Sequence, residues 1–274
     1  MTLLRLVTWN LFHGRDHPPD PELFTWRSRI LRLTERGQRY AQVNRPLERE
    51  FATVLGRLDW DVALLQEVPP RWSRWLPGEM AAQGASALTD RNSLAPLRTL
   101  AARLNPDLIA SNEGGSNQTV ARAPWRIDDQ RVFTMTERPE RRQMLWTRLR
   151  SPDGGEVAVA NLHASVRSAA GASDQVIAAA ERAVDWAGEL PLVFGGDLNH
   201  SPLHQPEVFA ELEQRFGLAP PTAPGAIDHL LMRGLEVVEP PHELPDSVRE
   251  VPLDDALVLR LSDHPCVAAL AGMK

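Results

Sequence analysis

Short, nearly continuous apolar runs are the clearest pattern in the chain. Such runs occupy Leu4 to Trp9, Val62 to Leu65 and Leu192 to Phe194. Each has the length of a strand, and the lack of alternation is typical of strands that are buried on both faces. The runs therefore predict buried strands in both the first and the last third of the chain.

Other segments alternate between apolar and polar residues or repeat with a helical period. Alternation predicts strands at Arg131 to Glu137, Met144 to Leu149 and Glu156 to Leu162, and Ser151 to Gly155 supplies a hairpin turn between the last two. Helical spacing predicts two helices, each with one apolar face. The faces consist of Leu47, Phe51, Val54, Leu55 and Leu58, and of Val176, Ala180, Ala183, Val184 and Ala187.

Strands come from every part of the chain and outnumber the helices. The Pro-rich stretch from Pro240 to Pro252 is typical of a surface loop, and no stretch has the composition of a linker between domains. We therefore expect residues 1–274 to form a single domain in which two sheets are covered by helices.

Polar side chains follow the apolar runs at the points where strands end. In Gly195-Gly196-Asp197-Leu198-Asn199, extended backbone would place the side chains of Asp197 and Asn199 on the same side. The two glycines allow a turn or the close approach of a ligand. Other polar residues of this kind are Asn10, Glu67, Asn161, His163, Asp228, Asp263 and His264.

These strand-end residues supply one consistent chemistry. Strand ends at one edge of a sheet assembly converge even when they are far apart in sequence. Hard oxygen ligands hold a cation such as Mg²⁺, a base activates water, and neutral or cationic donors stabilise a phosphoryl-transfer transition state. The set therefore predicts hydrolysis of a phosphate ester.

In their order along the chain, these motifs resemble the endonuclease/exonuclease/phosphatase superfamily, the group with the pancreatic deoxyribonuclease fold. The matching motifs are Thr8-Trp9-Asn10, Leu65-Gln66-Glu67, Asn161-Leu162-His163, Gly196-Asp197-Leu198-Asn199, Ile227-Asp228-His229 and Ser262-Asp263-His264-Pro265. They extend from the first predicted strand to the last. The resemblance implies an α/β (α+β) fold, a four-layer αββα sandwich in which two mixed β-sheets pack face to face and are flanked by helices.

The resemblance implies a metal site and a set of catalytic groups. Glu67 would be the principal ligand of Mg²⁺, for which Mn²⁺ is a possible substitute, and Asn10 and Asp263 would lie nearby. Asp197 would orient or deprotonate the attacking water, and Asn199 would support that water or the phosphate.

Two histidines complete the implied catalytic set. His264 would contact the scissile phosphate and pair with Asp228, which fixes its tautomer and favours its charged form. His163 would assist the leaving group or bind phosphate.

Three further residues are implied to contact the substrate phosphate. Asn117 and Arg122 fall where the superfamily often has a loop that enters a strand. Arg142, or its neighbour Arg141, falls where it often has a phosphate-binding arginine.

Composition and charge restrict the cellular compartment and the binding partners that we expect. The chain has 274 residues and a net charge of −6, which argues against tight non-specific binding of duplex nucleic acid. Cys266 is the only cysteine, so an internal disulfide and a cysteine zinc site are excluded. The N-terminal apolar run is predicted to be a strand rather than a signal peptide, and no run is long enough to span a membrane. We expect a cytoplasmic monomer with no membrane partner.

The sequence leaves the substrate open. The first hypothesis is a Mg²⁺-dependent phosphodiesterase or nuclease whose partner is a phosphate ester, with nucleic acid among the candidates. Alternatives are a phosphomonoesterase, a phospholipid or inositol-phosphate phosphodiesterase, and, outside enzymes, a binding module that keeps the fold. The Arg-rich stretch from Leu23 to Arg45 is compatible with a basic flap over a phosphate site and with a solvated surface.

Overall fold

Two β-sheets contain most of the strands. The structure is a computed structural model, and it describes residues 2–89, 95–108, 114–137, 140–166 and 171–273. The strands are β1 (Thr2–Asn10), β2 (Glu35–Arg36), β3 (Ala41–Gln42), β4 (Val62–Gln66), β5 (Ala82–Thr89), β6 (Gly115–Arg122), β7 (Arg126–Thr136), β8 (Arg142–Arg150), β9 (Glu156–His163), β10 (Leu192–Asp197), β11 (Asp228–Arg233), β12 (Glu236–Glu243), β13 (Glu250–Pro252), β14 (Val258–Arg260) and β15 (Val267–Met273).

The larger sheet has six strands in the order β12-β15-β1-β4-β6-β5. Its central pair, β1 and β4, is parallel, with Asn10 opposite Gln66, while its other neighbours are antiparallel. The carboxyl ends of β1 and β4 therefore lie at the same edge of the sheet.

The second sheet has five strands in the order β11-β10-β9-β8-β7. Strands β9 and β10 are parallel, and Asp197 lies opposite His163. Strand β11 runs antiparallel to β10 and begins at Asp228, which lies opposite Asp197. Three of the polar residues expected at strand ends are thus adjacent in the register of this sheet.

The helices are α1 (Trp26–Leu31), α2 (Glu48–Arg57), α3 (Trp75–Glu79), α4 (Ala95–Leu104), α5 (Ala172–Ala187) and α6 (Pro206–Phe216). Helices α2 and α3 cover the six-stranded sheet, and α5 and α6 cover the five-stranded sheet. The predicted apolar face of α2 is buried through Phe51, Val54 and Leu55, and its acidic first turn and basic last turn suit the helix dipole. Helix α6 starts with a proline and ends at Gly217, whose positive φ terminates the helix.

The buried residues form three main clusters, which define four layers. One cluster lies between α2, α3 and the six-stranded sheet and includes Trp9, Phe51 and Leu65. A second lies between α5, α6 and the five-stranded sheet. The third lies between the two sheets and includes Leu64 and Val159. The α/β class and the sandwich of two sheets predicted from the sequence are confirmed.

The Arg-rich stretch from Leu23 to Arg45 is more ordered than its composition suggests. It contains α1 and the small β2–β3 pair. Thr25 caps α1 by accepting a hydrogen bond from the Ser28 amide, and Ser28 and Gln42 are buried. Part of this stretch therefore packs onto the protein rather than forming a solvated surface throughout.

Within the described ranges, none of the helices has both the length and the apolar character required to cross a membrane.

Candidate active site

The polar residues that follow the buried strands meet at one edge of the sandwich. Parallel pairing places Asn10 beside the end of β4 in one sheet and Asp197 beside His163 in the other. The loop between β14 and β15 reaches the same edge, where the Ser262 hydroxyl donates to the Asn10 carbonyl over 2.6 Å. The Trp9 indole donates to the His264 carbonyl over 3.0 Å. Strand order and one connecting loop thus bring together residues that are up to about 250 positions apart, as open α/β sheets commonly do at strand ends.

Asp197 occupies the centre of this cluster. It is 1% exposed, and its Oδ2 accepts a hydrogen bond from the Asn10 amide over 3.0 Å. The same oxygen lies 3.4 Å from His163 Nε2 and 3.8 Å from His264 Nε2. Burial and the neighbouring charge of Asp228 raise the pKa of Asp197, while His264 and two hydrogen bonds oppose the shift. A carboxylate with a raised pKa is suited to accept a proton.

His264 is held as a cation by acidic neighbours. Its Nδ1 lies 2.7 Å from Asp228 Oδ2, so the Nε2–H points away from Asp228 and remains available. Burial alone would lower the pKa of His264, but Asp228, Asp197 and Asp263 outweigh that effect and raise it to about 10. The pairing with Asp228 that the resemblance implies is therefore present in the structure.

His163 has the opposite character. Its Nδ1 lies 3.0 Å from Arg142 Nη1, which can only donate, so Nδ1 accepts and the proton of the neutral ring lies on Nε2. Burial, together with the charges of Arg142 and His264, lowers the pKa of His163 well below its ordinary value. The structure therefore combines a neutral and a cationic histidine around Asp197.

Glu67 lies just past the end of β4, and its carboxylate contacts two histidines. Its Oε2 is 3.3 Å from His13 Nε2, and its Oε1 is 3.8 Å from His163 Nδ1. The backbone at Glu67 has a φ of 49°, and those at Phe12 and His13 are 47° and 53°. Left-handed backbone at residues other than glycine is costly and is common at functional sites.

The predicted metal ligands face the same region. Arg15 interacts electrostatically with both Glu67 and Asp263, and Asp263 Oδ1 is 3.9 Å from His264 Nε2. Asn10 is already engaged, since its amide nitrogen donates to Asp197 and its oxygen accepts from the Phe12 amide over 2.9 Å. Asn10 therefore positions Asp197 directly, and its role as a metal ligand stays a prediction.

Asn199 is anchored beside Asp197. Its backbone N–H donates to Asp197 Oδ1 over 3.0 Å, and its side-chain amide donates to the Ala164 carbonyl over 3.0 Å. The side-chain oxygen of Asn199 does not take part in either bond, so it can accept a hydrogen bond from water. Its proposed support of the attacking water remains untested.

The two sheets are held together beneath the site by amide side chains. Gln66 donates to Asn161 Oδ1 over 2.8 Å, and Asn161 donates across the interface to the Gln118 carbonyl over 2.8 Å. A Cβ atom at Gly196 would lie 2.1 Å from the Leu162 carbonyl and 3.0 Å from Gln66 Nε2. Gly196 is therefore required for close approach of neighbouring backbone, whereas the sequence left a ligand as an equal possibility.

A correction concerns Arg122. This residue ends β6, while Asn117 lies at the start of that strand, and five residues of strand span about 16 Å. The guanidinium donates to the carbonyls of Leu55 and Leu58 at the end of α2, and it stacks on the Trp60 ring. Arg122 therefore stabilises the opposite edge of the sheet, because it lies at the far end of β6 from the site.

Asn117 and Arg142 are placed at the site edge. Asn117 donates to the Gln143 carbonyl over 2.7 Å, and its buried Oδ1 has no hydrogen-bond partner within the part of the chain that the structure describes. Arg142 contacts His163 and also pairs with Glu140 over 2.8 Å. Arg142 carries donors of the kind that a phosphate oxygen needs, whereas the free side-chain atom of Asn117 is an acceptor. Phosphate contacts by both residues stay predictions.

A different trio also has the composition of a metal site. Among the described residues, ligand atoms of Asp197, Asp228 and His264 lie within 4.8 Å of one another. His264 Nδ1 is already engaged by Asp228 Oδ2 at 2.7 Å, so this histidine nitrogen is taken up by a hydrogen bond within the trio. The trio is better explained as a hydrogen-bonded charge network.

Sequence reasoning did not identify His13 and Arg15 as parts of the site. His13 lies in the loop after β1, yet it is buried and contacts Glu67 directly. Its position three residues after Asn10, at the end of the first strand, is the only signal for it in the sequence. Arg15 had no signal, because its place depends on the folded course of the loop.

The fold has close counterparts among solved structures. It is similar to an endonuclease/exonuclease/phosphatase from Bacteroides vulgatus, with 15% identity, a TM-score of 0.64 and full coverage of both chains. It is also similar to the mannosyl-6-phosphatase Bt3783 of Bacteroides thetaiotaomicron, with 15% identity, a TM-score of 0.61 and coverage of 97% of this chain and 98% of the other. The human Nocturnin catalytic domain has 16% identity, a TM-score of 0.60 and coverage of 99% and 95%.

A search of curated proteins gave no match to this sequence. A sequence model of the Endonuclease/Exonuclease/phosphatase family matches residues 7–264, which include every motif from Thr8-Trp9-Asn10 to Asp263-His264. Together with the fold, this match confirms the resemblance noted in the sequence. The chain belongs to the endonuclease/exonuclease/phosphatase family of metal-dependent hydrolases that act on phosphate esters.

Proposed function

We infer that the chain is a Mg²⁺-dependent phosphodiesterase that uses in-line attack by water. The observation that supports this most is the surrounding of Asp197: a buried carboxylate between a neutral and a cationic histidine, with an amide donor on the same oxygen. Such a group can accept a proton from water while its neighbours bind the phosphoryl oxygens.

The donor set suits a hard divalent cation. Glu67 and Asp263 offer carboxylate oxygens, and Asn10 offers an amide oxygen with a second lone pair, which are the ligand types that Mg²⁺ prefers. Glu67 is one-fifth exposed at its side chain, so it is accessible from the cleft. A bound Mg²⁺ would supply Lewis-acid polarisation of the phosphate and neutralise charge there.

Each remaining residue has a defined task. Asp197 orients the water and takes its proton, while Asn10 and Asn199 fix that carboxylate. His264 donates its Nε2–H to a phosphoryl oxygen and stays charged through Asp228. His163, neutral with its proton on Nε2, donates a hydrogen bond to the phosphate or the leaving oxygen.

A phosphomonoesterase is the second candidate. A cavity of about 360 Å³ lies beside the site, and it is of a size for a small molecule rather than for a long polymer. The net charge of −6 agrees with a small substrate, since it does not favour a polyanion. The known activity named for the mannosyl-6-phosphatase neighbour belongs to that protein, but it makes sugar phosphates a reasonable addition to the test.

A substrate screen with added metal tests the proposal. The purified protein, with Mg²⁺ or Mn²⁺, is offered plasmid DNA, oligonucleotides, cyclic nucleotides, phospholipids, inositol phosphates and sugar phosphates. Metal-stimulated cleavage of at least one diester into a phosphomonoester and an alcohol is expected. Hydrolysis confined to monoesters would favour the second candidate, and no hydrolysis of any ester would leave a binding module on this fold.

A further inference from the structure

The loop after β1 separates the catalytic cluster from a second concavity. Asn10 and His13 belong to the catalytic side, while Phe12, Arg15 and Asp16 line the cavity of about 360 Å³. The Arg15 carbonyl accepts a hydrogen bond from the Ser262 amide over 3.1 Å, directly before Asp263 and His264. A ligand in the cavity would therefore lie next to the residues that bind the phosphate.

Asp16 is an incompletely satisfied acid in the wall of this cavity. It is 2% exposed, and its Oδ2 accepts a hydrogen bond from the Val43 amide over 2.9 Å. The other oxygen, Oδ1, has no partner among the residues that the structure covers. A buried polar atom without a partner costs free energy, and such atoms mark strain, an unseen water or a ligand.

The protonation state of Asp16 indicates what its partner would be. Burial raises the pKa of Asp16 to about 8, and the hydrogen bond from Val43 only partly opposes this. At neutral pH the group is therefore mainly a carboxylic acid, which can both donate and accept. A hydroxyl group has the same two capacities, so it is a matched partner.

A second acid extends the same surface. Asp107 lines the cavity, and its Oδ2 accepts from Gln42 over 2.7 Å, which leaves its other oxygen for a second donor. Gln42 itself is fully engaged, since it also donates to the Val43 carbonyl and accepts from Ser28. Two adjacent acids with unused oxygens suit a ligand with several hydroxyl groups.

Three aromatic rings also line the cavity. The rings of Phe12 and His17 meet edge to face, and those of His17 and Phe24 are inclined by 45°. No two of these rings are parallel, and the Arg15 guanidinium already covers the Phe12 ring at 3.9 Å. Such a wall suits the C–H face of a saturated ring better than it suits a flat nucleobase, which needs a parallel ring face.

Charged side chains also line the cavity. Arg15 and Arg29 are among its lining residues, and both act electrostatically on Asp107. Guanidinium groups only donate, so they can supply hydrogen bonds to hydroxyl oxygens of a ligand.

We propose that this cavity binds the polyhydroxylated ring, a sugar or a cyclitol, of the phosphate ester that the catalytic cluster hydrolyses. The unpartnered oxygen of Asp16 contacts a ring hydroxyl, and Phe12, His17 and Phe24 contact the apolar face of the ring. This assignment rests on the proposed function and names the substrate class of the same site.

Binding measured without turnover tests the assignment. In an Asp197→Asn background with Mg²⁺, calorimetry compares glucose 6-phosphate and myo-inositol 1-phosphate, the two sources of such a ring, with ethyl phosphate, which has none. At least one ring phosphate is expected to bind tighter than ethyl phosphate. Adding Asp16→Ala should weaken that ligand about tenfold, as loss of one hydrogen bond predicts. Ethyl phosphate should be unaffected.

Two further variants guard against a folding effect. Phe24 is 47% exposed, so Phe24→Ala should leave the fold intact and still weaken the ring phosphate several-fold. Matched controls are Asp185→Asn on α5, with a side chain 66% exposed, and Val238→Ala on β12, and both should change nothing.

The possible failures are distinguishable. Ring phosphates that bind no tighter than ethyl phosphate, an equal effect of Asp16→Ala on both ligands, or a preference for thymidine 5′-phosphate over both ring phosphates would overturn the assignment. Failure of the proposed function appears separately, as wild-type protein that hydrolyses no ester with any added metal.

Discussion

The two histidines beside Asp197 differ in charge: one is neutral and the other is a cation. His163 contacts the Arg142 guanidinium at 3.0 Å and is neutral, whereas His264 contacts the Asp228 carboxylate at 2.7 Å and is a cation. Both are largely buried, and burial by itself lowers the pKa of each. The partner on Nδ1 therefore decides the difference.

This difference divides the site into two halves. The His163 half adjoins Glu67, the principal predicted metal ligand, so its positive charge would come from the metal and Arg142. The His264 half is lined by Asp228 and Asp197, and its positive charge comes from the imidazolium itself. A transferring phosphoryl group between them would meet cationic groups from both sides.

Removing the carboxylate that both halves share should have the largest effect. Asp197→Ala is expected to lower kcat by about 10³-fold, since it removes the group that orients and deprotonates water. Thermal unfolding should stay close to the parent's, because the variant also removes a carboxylate whose burial is unfavourable. Steady-state kinetics and a melting curve measure both.

The control for that variant is Asp185→Ala on the surface of α5. It should leave kcat unchanged. Turnover of Asp197→Ala within a few-fold of the parent would remove Asp197 from the mechanism.

Neutralising Asp228, the partner of the cationic His264, should remove the charge difference between the two histidines. Asp228→Asn is expected to lower kcat by about 10²-fold at neutral pH, in the range of a lost acid–base or charge contribution. The pKa of His264 is raised to about 10, so its cationic form is present below that pH and is lost above it. Without Asp228 this pKa falls, and the alkaline decline of activity should start at lower pH. A pH–rate profile with an unmoved alkaline limb would contradict the pairing.

Changing Glu67, the acid in the His163 half of the site, should weaken metal binding rather than change the charge of a histidine. Glu67→Gln is expected to weaken Mg²⁺ binding by at least about tenfold, because a neutral amide is a poorer ligand than a carboxylate. Calorimetric titration of the metal measures this. Glu181→Gln, an exposed change on α5, is the matched control, and an unaltered affinity in Glu67→Gln would exclude the ligand role.

The smallest effect is expected from the arginine that keeps His163 neutral. Arg142→Gln removes a positive charge that lowers the pKa of His163, so this pKa should rise toward its ordinary value. Activity should fall only several-fold, since burial still favours the neutral ring. Titration of the ring by NMR would detect the rise, with Arg182→Gln as control, and an unchanged pKa would mean that burial acts alone.

Strand-end residues could be predicted from the sequence because apolar runs and their polar ends are local signals. Asp197, Asp228 and His264 each directly follow such a run or stand beside one, and the order of the motifs identified the family. The structure adds the register, which places Asp197 opposite both His163 and Asp228.

The positions of other side chains depend on strand pairing and loop conformation, which local sequence patterns do not predict. Arg122 was misplaced because a strand has two ends, and only the pairing of β6 with β4 decides which one reaches the site. His13 reaches Glu67 through left-handed backbone at Phe12 and His13, which no hydrophobic pattern predicts. The unpaired oxygen of Asp16 likewise becomes visible only after Val43 and Asp16 are brought together.

Metal dependence of ester hydrolysis tests the central claim most directly. The protein is stripped with EDTA, assayed on bis(p-nitrophenyl) phosphate and p-nitrophenyl phosphate, and then supplied with Mg²⁺ or Mn²⁺. The account predicts that activity is lost with the chelator, returns with either cation, and is absent from Asp197→Ala under all conditions. Hydrolysis that is indifferent to EDTA, or that survives in Asp197→Ala, would contradict it.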